Sequence, residues 1–119
     1  MFNLFKRKKR IKARFVNKEY FDEQVITQKK ATIITFSAGW CGACKMQKPL
    51  INDVADKYAE SGIIVGLVDI DVENELPKKF GVSSIPTTIA FQNGEPIFKK
   101  TGLLSRRNLE DIVIQLKTS

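Results

Sequence analysis

A chain of 119 residues is one domain's worth, long enough to bury its own core, and its 43% apolar and 28% charged residues exclude a disordered polymer. Two cysteines and no histidine exclude a Cys2His2 zinc shell, so a metal would need four thiolates shared between two copies. No apolar run is long enough to span a membrane, and charges after Phe5 interrupt any signal-peptide core, so a cytoplasmic setting with reduced thiols is expected.

The formal net charge of +7 is confined to the start of the chain. Lys6, Arg7, Lys8, Lys9, Arg10, Lys12 and Arg14 are seven of 20 basic residues, and the remaining 13 balance 13 acidic ones. Residues 1–12 therefore read as a basic extension and 13–119 as the domain. A solvated solubility tail is the plain reading of the extension. The functional reading is a tether to nucleic acid, ribosome or anionic lipid, with Phe2, Leu4 and Phe5 favouring lipid among these.

In chain order, Ala13 to Val16 reads as a short edge strand and Lys18 to Gln28 as a helix with Tyr20, Phe21, Gln24 and Val25 on its stripe. Thr32 to Phe36 is a β-branched apolar run of the kind that forms a central strand. Ser37 to Lys45 follows, holding Cys41 and Cys44. Beyond it Met46, Leu50, Val54 and Tyr58 recur at helical spacing to about Ser61, with a kink expected at Pro49 and Gly62 closing the helix. Ile63 to Ile70 is a second buried strand, which makes a right-handed βαβ unit.

Asp69, Asp71, Glu73 and Glu75 alternate, but the glycine and final glutamate of a calcium loop are missing, so they read as strand-end and helix-start carboxylates. Asn74 to Phe80 suits a short helix. Ile85 to Phe91 leads into a strand, Asn93-Gly94 predicts a hairpin, and Pro96 makes the returning strand to Lys100 an edge. Ser105 can cap a last helix whose stripe is Leu109, Ile112, Val113 and Leu116.

Two cysteines spaced Cys-x-x-Cys between a strand and a helix can form a small disulfide, a reactive thiolate or half a metal site. A cysteine just ahead of a helix faces unpaired backbone N–H groups and the positive dipole end, which stabilise its thiolate. That suits Cys41 to attack, and Cys44, one turn further in, to resolve. Position and context favour this catalytic dithiol over an inert pair or half zinc site.

The order of elements, with Trp40-Cys41-Gly42-Ala43-Cys44-Lys45, Pro49, Ile85-Pro86-Thr87, Asn93-Gly94 and Gly102, resembles the thioredoxin family from about Ala13 onward. The resemblance implies an α/β thioredoxin fold, a central mixed sheet with helices on both faces. It implies a protein-disulfide oxidoreductase that needs no cofactor beyond a Cys41–Cys44 disulfide and is recharged by a flavin-dependent thioredoxin reductase. It also implies a cis proline at Pro86 facing the cysteines, and a substrate surface of Trp40, Gly42, Ala43, Ile85, Pro86 and Gly102. A monomer is expected. Besides protein disulfides, weak contact with anionic membrane or nucleic acid through Lys6, Arg7, Lys8, Lys9 and Arg10 is the other partner reading.

The chain departs from the family in several places. Thr35 and Leu67 stand where thioredoxins carry a buried aspartate and its lysine, and a threonine hydroxyl is no base near neutral pH. Ala43 stands for the usual proline and restores a backbone N–H near Cys41, which favours a more oxidising couple. Ser37 stands for a frequent tryptophan and widens the groove beside the site. The alternative reading is an adaptor of the same fold, tethered by its basic tail and with weak turnover.

Overall fold

The computed structural model describes residues 9–118. Five strands form one mixed sheet in the order β1-β3-β2-β4-β5: β1 Arg14–Phe15, β2 Thr32–Ser37, β3 Ile64–Asp69, β4 Thr87–Gln92 and β5 Glu95–Thr101. β2 lies at the centre, parallel to β3 with Thr35 opposite Leu67, and antiparallel to β4 with Thr35 opposite Thr88. This is the thioredoxin fold, with helices on both faces of the sheet.

Side-chain alternation along the strands sorts the core into two layers. Ile33, Val65, Leu67 and Ala90 point to the face covered by α2 (Gly42–Lys57) and α4 (Arg106–Lys117), where Ile51, Val54, Leu109 and Val113 complete one cluster. Ile34, Phe36, Val68, Ile89 and Phe91 point to the other face, against α1 (Lys18–Phe21, continued by Asp22–Thr27) and the short α3 (Glu75–Lys79), which supply Phe21, Val25 and Leu76. Phe21, Phe80 and Phe91 meet edge-to-face there, with centroids 5.1–5.4 Å apart.

The first helix differs from the regular one predicted. α1 is one α-helical turn, Lys18–Phe21, capped by Asn17, and then a π-helical stretch, Asp22–Thr27, in which the Gln28 N–H reaches the Glu23 carbonyl at 3.0 Å. The wider turn brings both Val25 and the partly buried Ile26 to the core, which a regular α turn would splay apart.

The buried stripe of α2 departs from the predicted one but keeps Val54, with Leu50 and Tyr58 partly buried beside it. It runs through Cys44, Gln47, Ile51, Val54 and Ala55, and Met46 is 65% exposed. Steps of four residues gain about 40° each against a 3.6-residue turn, so Met46 and Tyr58 lie about 120° apart on the helix. The helix continues through Pro49 and ends at Lys57, with Tyr58 as its C-cap rather than Ser61. Gly62 lies in the turn beyond the helix rather than closing it. Tyr58, then Lys57, bond the Glu110 carboxylate of α4 at 2.7 and 2.9 Å, which holds that carboxyl down to about 2.

The hairpin forms at Asn93-Gly94 with φ of 55° and 83°, the pair of left-handed residues that this two-residue turn requires. β5 is an exposed edge, with a register shift beside Pro96. Ser105 caps α4, its hydroxyl accepting from the Asn108 N–H at 3.1 Å.

Candidate redox site

β2 ends at Ser37 and the chain turns through Ala38–Trp40 before α2 begins at Gly42. Cys41 is therefore the N-cap of α2, and its sulfur accepts the Cys44 N–H at 3.2 Å. The N–H that reaches this sulfur is thus that of Cys44; Ala43 places its own in the first turn, where it adds to the positive end of the helix.

The two thiols have different surroundings. Cys41 is half-buried at the surface, and Cys44 is 4% exposed on the inner face of α2. Burial, followed by the interaction with Cys41, pushes the Cys44 thiol up to about 11. An accessible thiol at a helix N-cap and a buried, reluctant one behind it is an asymmetric dithiol, suited to attack from one side only.

The remaining candidate residues converge on this point from three loops. The Ile85–Pro86 peptide bond is cis, and the Cys41 thiol lies 3.9 Å from the Ile85 carbonyl. The Pro86 carbonyl accepts the Gly102 N–H at 2.8 Å, joining the second loop to the third. Gly102 has φ of 99°, a conformation that disfavours any Cβ, and open space lies where a side chain would project, as it does at Gly42. Trp40 lies outside the core at 68% exposure, its indole N–H bonded to Asp71 Oδ2 at 3.0 Å. Trp40, Gly42 and Ala43 thus flank Cys41 in the chain, Ile85 reaches it through its carbonyl, and Gly102 is joined to Pro86.

Two contributors escaped the sequence reading. Asp71, read only as a strand-end carboxylate, holds Trp40 in place. Gln47 is 1% exposed and its amide grips the backbone of Leu104, donating to the carbonyl at 3.0 Å and accepting from the N–H at 2.7 Å. It thereby fixes the Gly102–Leu104 loop to the helix that carries the cysteines. A polar residue at i+3 from Cys44 and i−4 from Ile51 was the available signal.

Beneath α2, Thr35 and Thr88 are buried and share a hydrogen bond at 2.8 Å between their hydroxyls. The position across β3 from Thr35 is the apolar Leu67. Ser37, half-buried, lines a hollow of about 290 Å³ together with Phe15, Cys44, Lys45, Lys48 and Asp69. Glu73 accepts from the N–H groups of Glu75 and Leu76 at the start of α3. Among the described residues no group of three or more Cys, Asp or Glu is placed to hold a metal ion, and no helix is long and apolar enough to cross a membrane.

A mixed five-stranded sheet bearing an asymmetric Cys-x-x-Cys at the N-terminus of its central helix, opposite a cis proline, defines a thiol-redox domain. Residues 12–115 match the family model described as thioredoxin. The chain is 36% identical over 94 residues to the thioredoxin of Rickettsia bellii, covering 79% of this chain and 89% of that one. It is 34% identical over 100 residues to the bifunctional thioredoxin reductase/thioredoxin of Mycobacterium leprae, covering 81% of this chain and 22% of that longer one. Among solved structures, the thioredoxin of Malassezia sympodialis superposes with a TM-score of 0.79 at 26% identity, over 91% of this chain and 93% of that one. The chain belongs to the thioredoxin family, whose members support a redox activity of the thiol-disulfide class for it.

Proposed function

We propose that the protein reduces protein disulfides by cycling Cys41 and Cys44 between dithiol and disulfide. The Cys41 thiolate attacks one sulfur of the substrate disulfide, and the substrate's other sulfur leaves as a thiol. The Cys44 thiolate then attacks Cys41 Sγ, the mixed disulfide breaks, and the second substrate thiol departs. Two electrons pass to the substrate and a Cys41–Cys44 disulfide remains. The carrying observation is the asymmetry of the pair: Cys41 at the N-cap and half-exposed, Cys44 buried behind it.

In this reading the substrate strand lies across Trp40, Gly42 and Ala43 on one side and Ile85, Pro86 and Gly102 on the other. A thioredoxin reductase restores the dithiol, a partnership suggested by the relative whose name joins the two activities. No cofactor beyond the cysteine pair enters the cycle. The protein works as a cytoplasmic monomer with its domain starting near residue 13. Of the tail residues proposed for weak contact with anionic membrane or nucleic acid, Lys6, Arg7 and Lys8 lie outside the described residues, as do Phe2, Leu4 and Phe5, whereas Lys9 and Arg10 fall within them.

Turbidity from insulin reduction by dithiothreitol tests the cycle. The chain should accelerate it, Cys41→Ser should abolish the acceleration, and Cys44→Ser should accumulate a mixed disulfide at Cys41. Reduction no faster than with dithiothreitol alone refutes the enzyme and leaves a binding module.

A further inference from the structure

The basic segment ahead of β1 is folded back along α2. The Ile11 N–H donates to Asp56 Oδ1 at 2.9 Å, the Ala13 N–H donates to Asn52 Oδ1 at 3.0 Å, and the Arg10 guanidinium pairs with Asp53. Arg10 and Lys12 are thereby set beside Lys45 and Lys48 around a hollow of about 410 Å³ on the flank of α2. Lys45 and Lys48 also line the 290 Å³ hollow at Cys44 and Phe15, so the two hollows adjoin along α2 and the inner one reaches Cys44. Their carboxylates do not neutralise them. Asp53 is engaged by both Arg10 and Arg106, and at the inner end Asp69 Oδ1 accepts the Asp71 N–H at 2.9 Å. Lys12, Lys45 and Lys48 have no ion pair among the described residues, and the Lys48 ammonium sits 5.7 Å from the exposed Phe15 ring.

The geometry points to a docking groove for an acidic polypeptide segment next to the disulfide of a protein substrate. The inference rests on the disulfide-reducing reading and names the substrates it favours. Lys12, Lys45 and Lys48, on and beside the helix that Cys41 caps, steer a partner whose acidic residues flank the sulfur to be attacked. A polypeptide fits better than a nucleic acid or lipid surface, because the carboxylates of Asp53 and Asp69 interrupt the groove's cationic wall. The phosphate backbone of a nucleic acid or a bilayer face needs a continuous cationic surface instead.

Two synthetic peptides sharing one disulfide loop, one flanked by glutamates and the other by lysines, separate these cases. Trp40, the one tryptophan of the chain, sits beside Cys41 and reports single-turnover oxidation of the reduced full-length protein by fluorescence. The glutamate peptide should react about tenfold faster at ~20 mM salt, and the ratio should shrink to about twofold at ~0.5 M, where screening is strong. Lys12→Glu combined with Lys48→Glu should erase the preference, while neutral hydroxyethyl disulfide oxidises parent and variant at the same rate. Equal rates for the two peptides, or a preference that survives both the variant and salt, overturns the groove. So does a variant-sensitive retention on phosphatidylserine vesicles or DNA without any peptide preference. If hydroxyethyl disulfide reacts but the peptides are not distinguished, only the groove fails; if no disulfide reacts, the disulfide-reducing function itself fails.

Discussion

Replacing Gln47 by leucine tests whether the loop at Gly102 is positioned from α2. The substitution keeps the side chain's bulk and removes both of its bonds to Leu104, at 3.0 and 2.7 Å, in a place that is 1% exposed. The Leu104 N–H and carbonyl are then left without these partners, at roughly 1–3 kcal/mol each, offset by about 1–2 kcal/mol of apolar burial. The net loss should be about 3 kcal/mol, which for this chain length corresponds to a fall in Tm of roughly 12 °C. Urea unfolding followed by circular dichroism measures the stability, and insulin reduction measures the loop. The kcat/KM of Gln47→Leu should fall severalfold at temperatures where it is still folded, because the Gly102 N–H that meets Pro86 loses its anchor. A stability change below about 1 kcal/mol, with unaltered kcat/KM, would refute the reasoning.

Burial raises the Cys44 thiol to about 11 against 9.0 in the open chain, so the folded protein holds this proton more tightly than the unfolded one. Stability should therefore be whole below about pH 9 and decline as pH rises to about 11, by on the order of 2 kcal/mol; Cys44→Ala, measured by denaturant titration across this range, should lose that share of the slope. Thr35→Asp should accelerate mixed-disulfide resolution near neutral pH by supplying a base, yet cost several kcal/mol in stability, since its carboxylate faces Thr88 and Leu67. Adding Leu67→Lys should return part of that stability, and a single-turnover rate no higher than the parent's in either variant counts against the idea. Ala43→Pro removes a first-turn N–H from the positive end of α2 and should make the couple more reducing; equilibration with glutathione reads this, and an unchanged potential contradicts it.

Much of this architecture could be read from residue patterns. The β-branched run Thr32 to Phe36, Asn93-Gly94 and the stripe Leu109, Ile112, Val113 and Leu116 each state a local preference that the fold also satisfies. The cysteine pair was legible for the same reason: a strand, a short turn and a helix start leave Cys41 only the capping position. What escaped depends on partners distant in sequence. Met46 and Gln47 are equally compatible with helical periodicity, and only packing against Leu104 decides that the glutamine is the buried one. The widening of α1 follows from two adjacent apolar residues, Val25 and Ile26, competing for one core. The basic segment showed its charge but not its place, because Asp53, Asp56 and Asn52, which hold it, lie some forty residues away.

The hydroxyl pair of Thr35 and Thr88 has an electrochemical consequence. A buried carboxylate under the dithiol would titrate with the redox state and bend the curve of potential against pH at its own pKa. Two threonines hydrogen-bonded to each other carry no charge to exchange. The curve of potential against pH for this couple should therefore carry no bend from a carboxylate beneath the dithiol.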